Sequence, residues 1–331
     1  SAVLVGSTDT PNPVTCEGTR VWTYRYTACD GTTTADWTYT YTIDYSGGLT
    51  PPANGSSTVE CIVDAVDPGA PADITDACGN LVSAVLVGST ETPNPVTCEG
   101  SVVWTYRYTA CDGSTTADWN YTYTIDLTTA PIVPADGSST VECLSAATAP
   151  VTPVVTDACG NNIVPTLLST VDTPDPLTCE GTRVYTYEYT DCSGLTTNWT
   201  YTYTIDITSS PVVPADGSST VECLSAATAP VTPVVTDACG NNIVPTLVST
   251  VDTPDPLTCE GTRVYTYEYA DCSGLTSTWT YTYTVDITTL PVVPADGAST
   301  VLCPSDAVVP TTPIVVDACG NNIVPVLEST V

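Results

Sequence analysis

Sixteen cysteines are the residues of this chain best placed to do chemistry, and their surroundings repeat. The string TCEG places Cys16, Cys98, Cys179 and Cys259 at spacings of 82, 81 and 80 residues, and DACGN places Cys78, Cys159, Cys239 and Cys319 at spacings of 81, 80 and 80. Cys61, Cys143, Cys223 and Cys303 each close a Ser-Thr-Val run, and Cys29, Cys111, Cys192 and Cys272 each follow a TCEG cysteine by 13 residues. Four cysteines in so short a unit serve either a structural zinc site or two disulfides. Zinc sites want close C-x(2–4)-C pairs, whereas the gaps within one unit here are 16, 20 and 13, and the chain has no His. The cysteines therefore read as disulfides, which places the protein outside the reducing cytoplasm.

The elements that position them follow from the repeat. There are four copies of a unit of about 80 residues, and copies three and four are nearly identical over long stretches. Ser1 aligns with Ser83, Val164, Val244 and Val324, so residues 324–331 begin a fifth copy and the chain starts and stops within a unit. With no initiator Met, it reads as a mature product or a segment of something longer. The expected division is 1–45 (the second half of a module), 46–127, 128–207 and 208–287 (complete modules), and 288–331 (the first half of a module).

Each copy reads as all-β. In residues 128–207, a lead-in with Pro131 and Pro134 precedes a short strand, Thr140–Cys143, and an extended stretch, Val151–Thr156. After a turn at residues 157–162 come a strand Ile163–Ser169, a turn at Asp172–Pro176, and two long strands, Thr182–Thr190 and Asn198–Ile207, joined through Ser193-Gly194. Short strands between closely spaced turn signals suggest a sandwich. Strict alternation puts Tyr185, Tyr187 and Tyr189 on one face and Val184, Thr186 and Glu188 on the other. Glu188 has Arg25 and Arg107 as counterparts, so the charged face meets water and the aromatic face is core rather than a sugar-binding stripe.

Strand direction then selects a disulfide pairing. If the final strand runs up, Cys143 and Cys179 lie at the top of the module and Cys159 and Cys192 at the bottom. The expected bridges are Cys143–Cys179 and Cys159–Cys192, with Cys61–Cys98, Cys78–Cys111, Cys223–Cys259 and Cys239–Cys272 in the other copies. Cys16, Cys29, Cys303 and Cys319 are left over. They are expected to bond within a longer parent chain or between neighbouring copies, Cys303 to the next Cys16 and Cys319 to the next Cys29.

Composition excludes several functions. The formal net charge is −32, from 37 acidic residues against five basic ones, all Arg. Such a chain repels nucleic acid and anionic lipid. It offers no imidazole base and no His metal ligand, and no apolar stretch long enough to span a membrane. No unique cleft for paired carboxylates is expected from repeated small modules, so the chain reads as no enzyme. It is nonetheless 42% hydrophobic and 13% charged, which excludes acidic disorder.

The acids recur too. Asp126 and Asp206 leave the top of one module where the bottom loops of the next, with Asp157, Asp237 and Asp271, should meet them. Several oxygens at a junction could hold Ca²⁺. The plainer reading is that Asp and Asn form turns by accepting backbone N–H groups. It is favoured because one recurring acid changes place. That acid precedes its cysteine in Asp191-Cys192 and Asp271-Cys272, and follows it in Cys29-Asp30 and Cys111-Asp112. No cofactor is required on this reading. Glycan acceptors are present as sequons at Asn54, Asn120 and Asn198 and as an outward Thr ladder, Thr200, Thr202 and Thr204; the sequons do not recur at one repeat position, and Thr is also a good strand former.

The chain resembles the hyalin-repeat (HYR) and HYR-like modules over its whole length. The matching pieces are Pro131-Ile132-Val133-Pro134, Val155-Thr156-Asp157-Ala158-Cys159-Gly160, Cys179-Glu180-Gly181, Tyr187-Glu188-Tyr189-Thr190-Asp191-Cys192-Ser193-Gly194 and Trp199-Thr200-Tyr201-Thr202-Tyr203-Thr204-Ile205. The resemblance implies Ig-like sandwiches in tandem, of the kind found in large secreted surface proteins, notably of Bacteroidota, with adhesin, stalk or filament roles and no catalytic residues. The expected architecture is a rod of Ig-like β-sandwich modules with two disulfides each, each module roughly 35–40 Å long at ~3.3 Å per strand residue. The expected function is extension at a cell surface, with copies of itself as partners, covalent glycans as candidate additions, and no nucleic acid or membrane insertion. The alternative is a Ca²⁺-dependent carbohydrate- or protein-binding adhesin module that grips its ligand through the loop at Asp172–Pro176.

Overall fold

The computed structural model describes residues 1–328; the last three residues of the expected fifth copy lie outside them. Two compact units divide the chain: Ser1–Ala135 with Thr152–Leu168 and Tyr187–Trp199, and Asp136–Val151 with Ser169–Thr186 and the described residues from Thr200 onward. Strands dominate both, and among the described residues the helical elements are four single 3₁₀ turns.

In the first unit the copy before Leu127 is complete. Its opening strand, Gly55–Val59, runs parallel to the final strand, Thr116–Ile125. The final strand pairs antiparallel with a central strand, Gly100–Thr109, which pairs antiparallel with an edge strand, Ala84–Thr92. The sheet order is thus opening, final, central, edge. A two-stranded ribbon, Ile74–Thr75 with Leu81–Val82, lies apart from that sheet. The second unit repeats the arrangement with Gly217–Val221, Thr276–Val285, Gly261–Ala270 and Thr246–Thr253, and a ribbon of Val235–Thr236 with Asn242–Ile243. All-β, sandwich-like repeats of about 80 residues are therefore the architecture.

Alternation fixes the core as the pattern of Tyr and Thr requires. Tyr265, Tyr267 and Tyr269 cluster with Trp279 and Val235, while Glu268 points away between them. Rings of this size bury the most apolar area per residue, but their polar tips must find partners. They find them on carbonyls of the Pro-rich lead-in and of the Pro-containing stretch that follows the opening strand, which no ladder uses. The Trp279 indole N–H donates to Ala215 O at 3.1 Å, and the Tyr265 and Tyr269 hydroxyls donate to Ala227 O and Pro233 O. The first unit repeats this with Trp119 on Ala53 O and Tyr108 on Ala72 O. Pro-rich segments thus serve the sandwich by leaving acceptors free for aromatic donors.

Strand bounds differ from expectation in places. The stretch expected as one strand from Ile163 is two, Asn162–Ile163 and Thr166–Thr173, because Pro165 breaks it and cannot donate to a ladder. Only Val155–Thr156 of the stretch from Val151 is strand, and the expected strand into Cys143 ends at Val141. The long hairpin strands are Gly181–Thr190 and Thr196–Ile205.

Candidate functional site

Each cysteine sits on a turn whose chemistry its neighbours dictate. In DACGN, Asp157 Oδ1 accepts the N–H groups of Cys159 and Asn161 at 2.9 and 2.8 Å, and Oδ2 accepts the Asn161 side-chain amide at 2.9 Å. Gly160 takes φ +85°, a conformation side chains resist, and closes the turn by donating to Asp157 O. Cys159 is thereby held at the tip. Asp237 and Asp317 do the same for Cys239 and Cys319, and Asp76 for Cys78. Burial works to raise the Asp157 and Asp237 carboxyls, but the Asn and backbone donors outweigh it and hold both below the usual range.

The hairpin cysteines ride on a second turn that comes in two versions. Asp191 Oδ1 accepts from Ser193 and Leu195 N–H groups, and its own N–H closes on Leu195 O. In the earlier copy Asp112, after the cysteine, accepts from Ser114 and Thr115, and Ala110 N–H closes on Thr115 O. That turn is one residue longer. The acid that changes place is thus a turn former in both positions, which is the plainer of the two readings of the acids.

The cysteines then pair, and not within copies. In the first unit the bridges are Cys16–Cys111, Cys61–Cys159 and Cys98–Cys192, and in the second Cys143–Cys239, Cys179–Cys272 and Cys223–Cys319. The expected pairs Cys61–Cys98, Cys78–Cys111, Cys143–Cys179, Cys159–Cys192, Cys223–Cys259 and Cys239–Cys272 are all replaced. So are the expected links of Cys303 to Cys16 and Cys319 to Cys29, since Cys16 and Cys319 are already bonded. Cys29, Cys78, Cys259 and Cys303 are free and exposed. Strand directions match the ones that placed each cysteine at the top or bottom of its module. What direction alone left undetermined was whether a top cysteine bonds another top cysteine of its own copy or a bottom cysteine of the next.

The reason is that consecutive copies meet within each unit. Leu127, in the link after one copy, is buried, and Thr128 and Thr129 beyond it donate their hydroxyls to Glu60 Oε1 at 2.6 and 2.7 Å. Those donors hold the Glu60 carboxyl below its ordinary value. Asp126 N–H donates to Val59 O, so the exit of the copy is tied to its opening strand. The Cys159 sulfur then lies 3.5 Å from Glu60 O. In the second unit Ile207 is buried, Thr208 and Ser209 donate to Glu142, and the Cys239 sulfur lies 3.4 Å from Glu142 O. Glu in TVEC was the missed signal: it stands beside a bridging cysteine and grips the link. Each bridge closes a loop of 93 to 98 residues, for which chain entropy gives about 4–5 kcal/mol, less where loops overlap.

The other expected site residues are not brought together. Among the described residues no group of three or more Asp, Glu or Cys is placed to hold a metal ion. Asp157 and Asp237 are committed to their turns, Asp271 Oδ2 is buried without a hydrogen-bond partner, and Asp126 and Asp206 are exposed. Asp172, expected at a ligand-gripping loop, makes a two-pronged ion pair with Arg183 at 2.7 and 2.8 Å. The guanidinium holds that carboxyl below its usual range. All five arginines are spent on such pairs, with Asp9, Asp36, Asp118, Asp172 and Asp252. Of the glycan candidates, Asn54 accepts the Asn120 N–H and Asn120 accepts the Thr105 hydroxyl; Asn198 and Thr204 are exposed, and Thr200 and Thr202 half-buried. No helix among the described residues is long and apolar enough to cross a membrane.

Five stretches, residues 2–43, 49–125, 131–205, 211–285 and 291–331, match the family described as HYR-like domain with 4 cysteines. No curated protein matches the chain. Solved structures that align with it include protocadherin gammaB7 EC3-6, at 11% identity over 86% of this chain and 92% of that one with a TM-score of 0.28. Drosophila N-cadherin EC1-4 aligns at 8% identity over 81% and 83%, with a TM-score of 0.25.

Proposed function

The chain belongs to the family of HYR-like domains with four cysteines, and from that premise we propose that it is an extracellular structural protein, a stalk or filament that holds an adhesive surface away from a cell. The observation that carries this reading is that all six disulfides join one copy to the next. A module built to bind a ligand on its own has no need of that, whereas a mechanical connector does. Disulfides also form and persist in oxidising compartments and are rare in the cytosol. Immunogold labelling of intact source cells tests the location. Label on the outer surface supports the reading; label that appears only after lysis removes it.

The same rule of bridging extends the array head to tail. Cys259 is the counterpart of Cys98 and Cys179, which bond the hairpin cysteine of the following copy, so its partner is a Cys29-type residue. Cys303 is the counterpart of Cys61, Cys143 and Cys223, so its partner is a Cys78-type residue. Apolar surfaces complement these thiols: Trp37, Tyr39 and Tyr41 are exposed in residues 2–43, and Val292, Val293 and Leu302 in residues 291–328. Under mild oxidation the purified chain should form a thiol-sensitive ladder of oligomers whose linking peptides pair Cys259 with Cys29 and Cys303 with Cys78. A chain that stays monomeric with four free thiols removes this extension and leaves the stalk reading standing.

A further inference from the structure

The bridges all run in one sense, and following covalent bonds through them gives two unbroken tracks. From Cys16 the first track crosses to Cys111, returns thirteen residues along the central strand Gly100–Thr109 to Cys98, and crosses to Cys192. It returns along Gly181–Thr190 to Cys179, crosses to Cys272, and returns along Gly261–Ala270 to Cys259. The second track runs from Cys61 to Cys159, back to Cys143, across to Cys239, back to Cys223 and across to Cys319. We infer that these tracks, and not the folding stability of the repeats, carry tension along the array and keep it in one piece when the backbone is cut.

The bridges take the slack out of each copy. In tandem modules without such bridges, pulling the ends unfolds a module and releases its whole chain at ~3.3–3.6 Å per residue. Here the shortest covalent route through a copy is one disulfide and thirteen residues, ten of them already in an extended strand. A strand at ~3.3 Å per residue is close to the limit of chain extension. The remaining residues of the copy hang off the route as loops, and unfolding them adds nothing to its length. Noncovalent stability therefore need not resist the load.

Cutting follows the same geometry. Every peptide bond between Cys16 and Cys319 lies inside at least one disulfide loop, and between Cys61 and Cys272 inside at least two. All five arginines fall in the first span. Tryptic cleavage at every one, on unfolded, thiol-blocked and unreduced chain, should release only the peptide Val21–Arg25 and leave all other fragments in one mass. Pairing within copies would also free residues 1–20. The inference rests on the bridging pattern and stands whether or not the array serves as a stalk.

The deciding experiment pulls the full chain by its two ends, oxidised and then reduced. The oxidised chain should stop at about a quarter of its full backbone length, and reduction should lengthen it about fourfold, taking ~3.5 Å per residue along the shortest covalent route. An oxidised length of about two thirds, the value for bridges within copies, overturns the inference, as does equal length before and after reduction or release of residues 1–20 by trypsin.

Discussion

Residues 2–43 and residues 211–285 present the same strands in two surroundings. The first form a three-stranded sheet with Trp37 and Tyr41 at 50% and 54% exposure; the second form a four-stranded sheet in which Trp279 is 4% exposed. Yet the aromatic ladder is the same in both. Ring centroids lie 6.0 Å apart for Tyr24–Trp37 and 4.9 Å for Tyr39–Tyr41, against 6.1 Å for Tyr267–Trp279 and 5.0 Å for Tyr281–Tyr283. The antiparallel hairpin therefore arranges its aromatics by itself, through register and alternation. The lead-in and opening strand do not shape the ladder. They and the Pro-containing stretch after them dry it and accept its hydrogen bonds, Ala215 from the lead-in and Pro233 from the later stretch.

The comparison breaks most sharply at the tryptophan. Trp279→Ala removes a buried ring and its bond to Ala215 O, which should cost about 3–5 kcal/mol. Trp37→Ala removes the same ring where water already reaches it, and should stay within about 0.5 kcal/mol, the range of surface changes. A chain of several bridged copies is not two-state, so the measurement is amide exchange of strands Gly261–Ala270 and Gly18–Thr27 in each variant. Equal loss of protection in both would mean that the ladder, not its cover, supplies the stability.

A smaller effect is expected on the covering side. A Cβ built on Gly217 would meet the Tyr281 ring. Gly217→Ala should therefore overpack the opening strand and cost about 1–3 kcal/mol, read as lost exchange protection in Thr276–Val285. Its counterpart Gly297 has no atom within 4 Å of such a Cβ, and Gly297→Ala should leave protection unchanged. If both are neutral, the opening strand yields and the close approach to the ring is not a constraint.

This comparison also separates what the sequence makes legible from what it hides. Alternation of Tyr and Thr marks the core face, and strand direction places each cysteine at the correct end of its module, because both are local consequences of the strand period. Partner choice is not local. Cys143 has a top-end neighbour in its own copy, Cys179, and a bottom-end cysteine, Cys239, in the next, and parity allows either. The deciding contacts, Glu142 with Thr208 and Ser209, join residues more than sixty apart whose types are unremarkable in a turn. The turn acids, by contrast, are legible from one copy set against another. Asp112 and Asp191 change sides of their cysteine, which a fixed metal ligand could not do and a turn former can.

The smallest predicted effect tests whether those turns depend on the cover at all. Asp30 and Asp112 serve the same turn in an uncovered and a covered copy, and both carboxyls are lowered to about 2, first by the Thr33 and Thr115 hydroxyls and then by backbone donors. A carboxyl whose folded value lies below its unfolded one contributes stability that is fully present above the unfolded value, near 4, and is lost as pH falls through the folded value. Both turns should therefore hold above pH ~4 and loosen together toward pH ~2. The Thr33 and Thr115 amides, which donate to those carboxyls at 2.9 and 3.0 Å, report this directly by NMR. Asp30→Asn should remove the pH step from Thr33 and leave it at Thr115. A step at different pH in the two copies would show that the cover reaches the turn; coincident steps would confine its influence to the aromatic face.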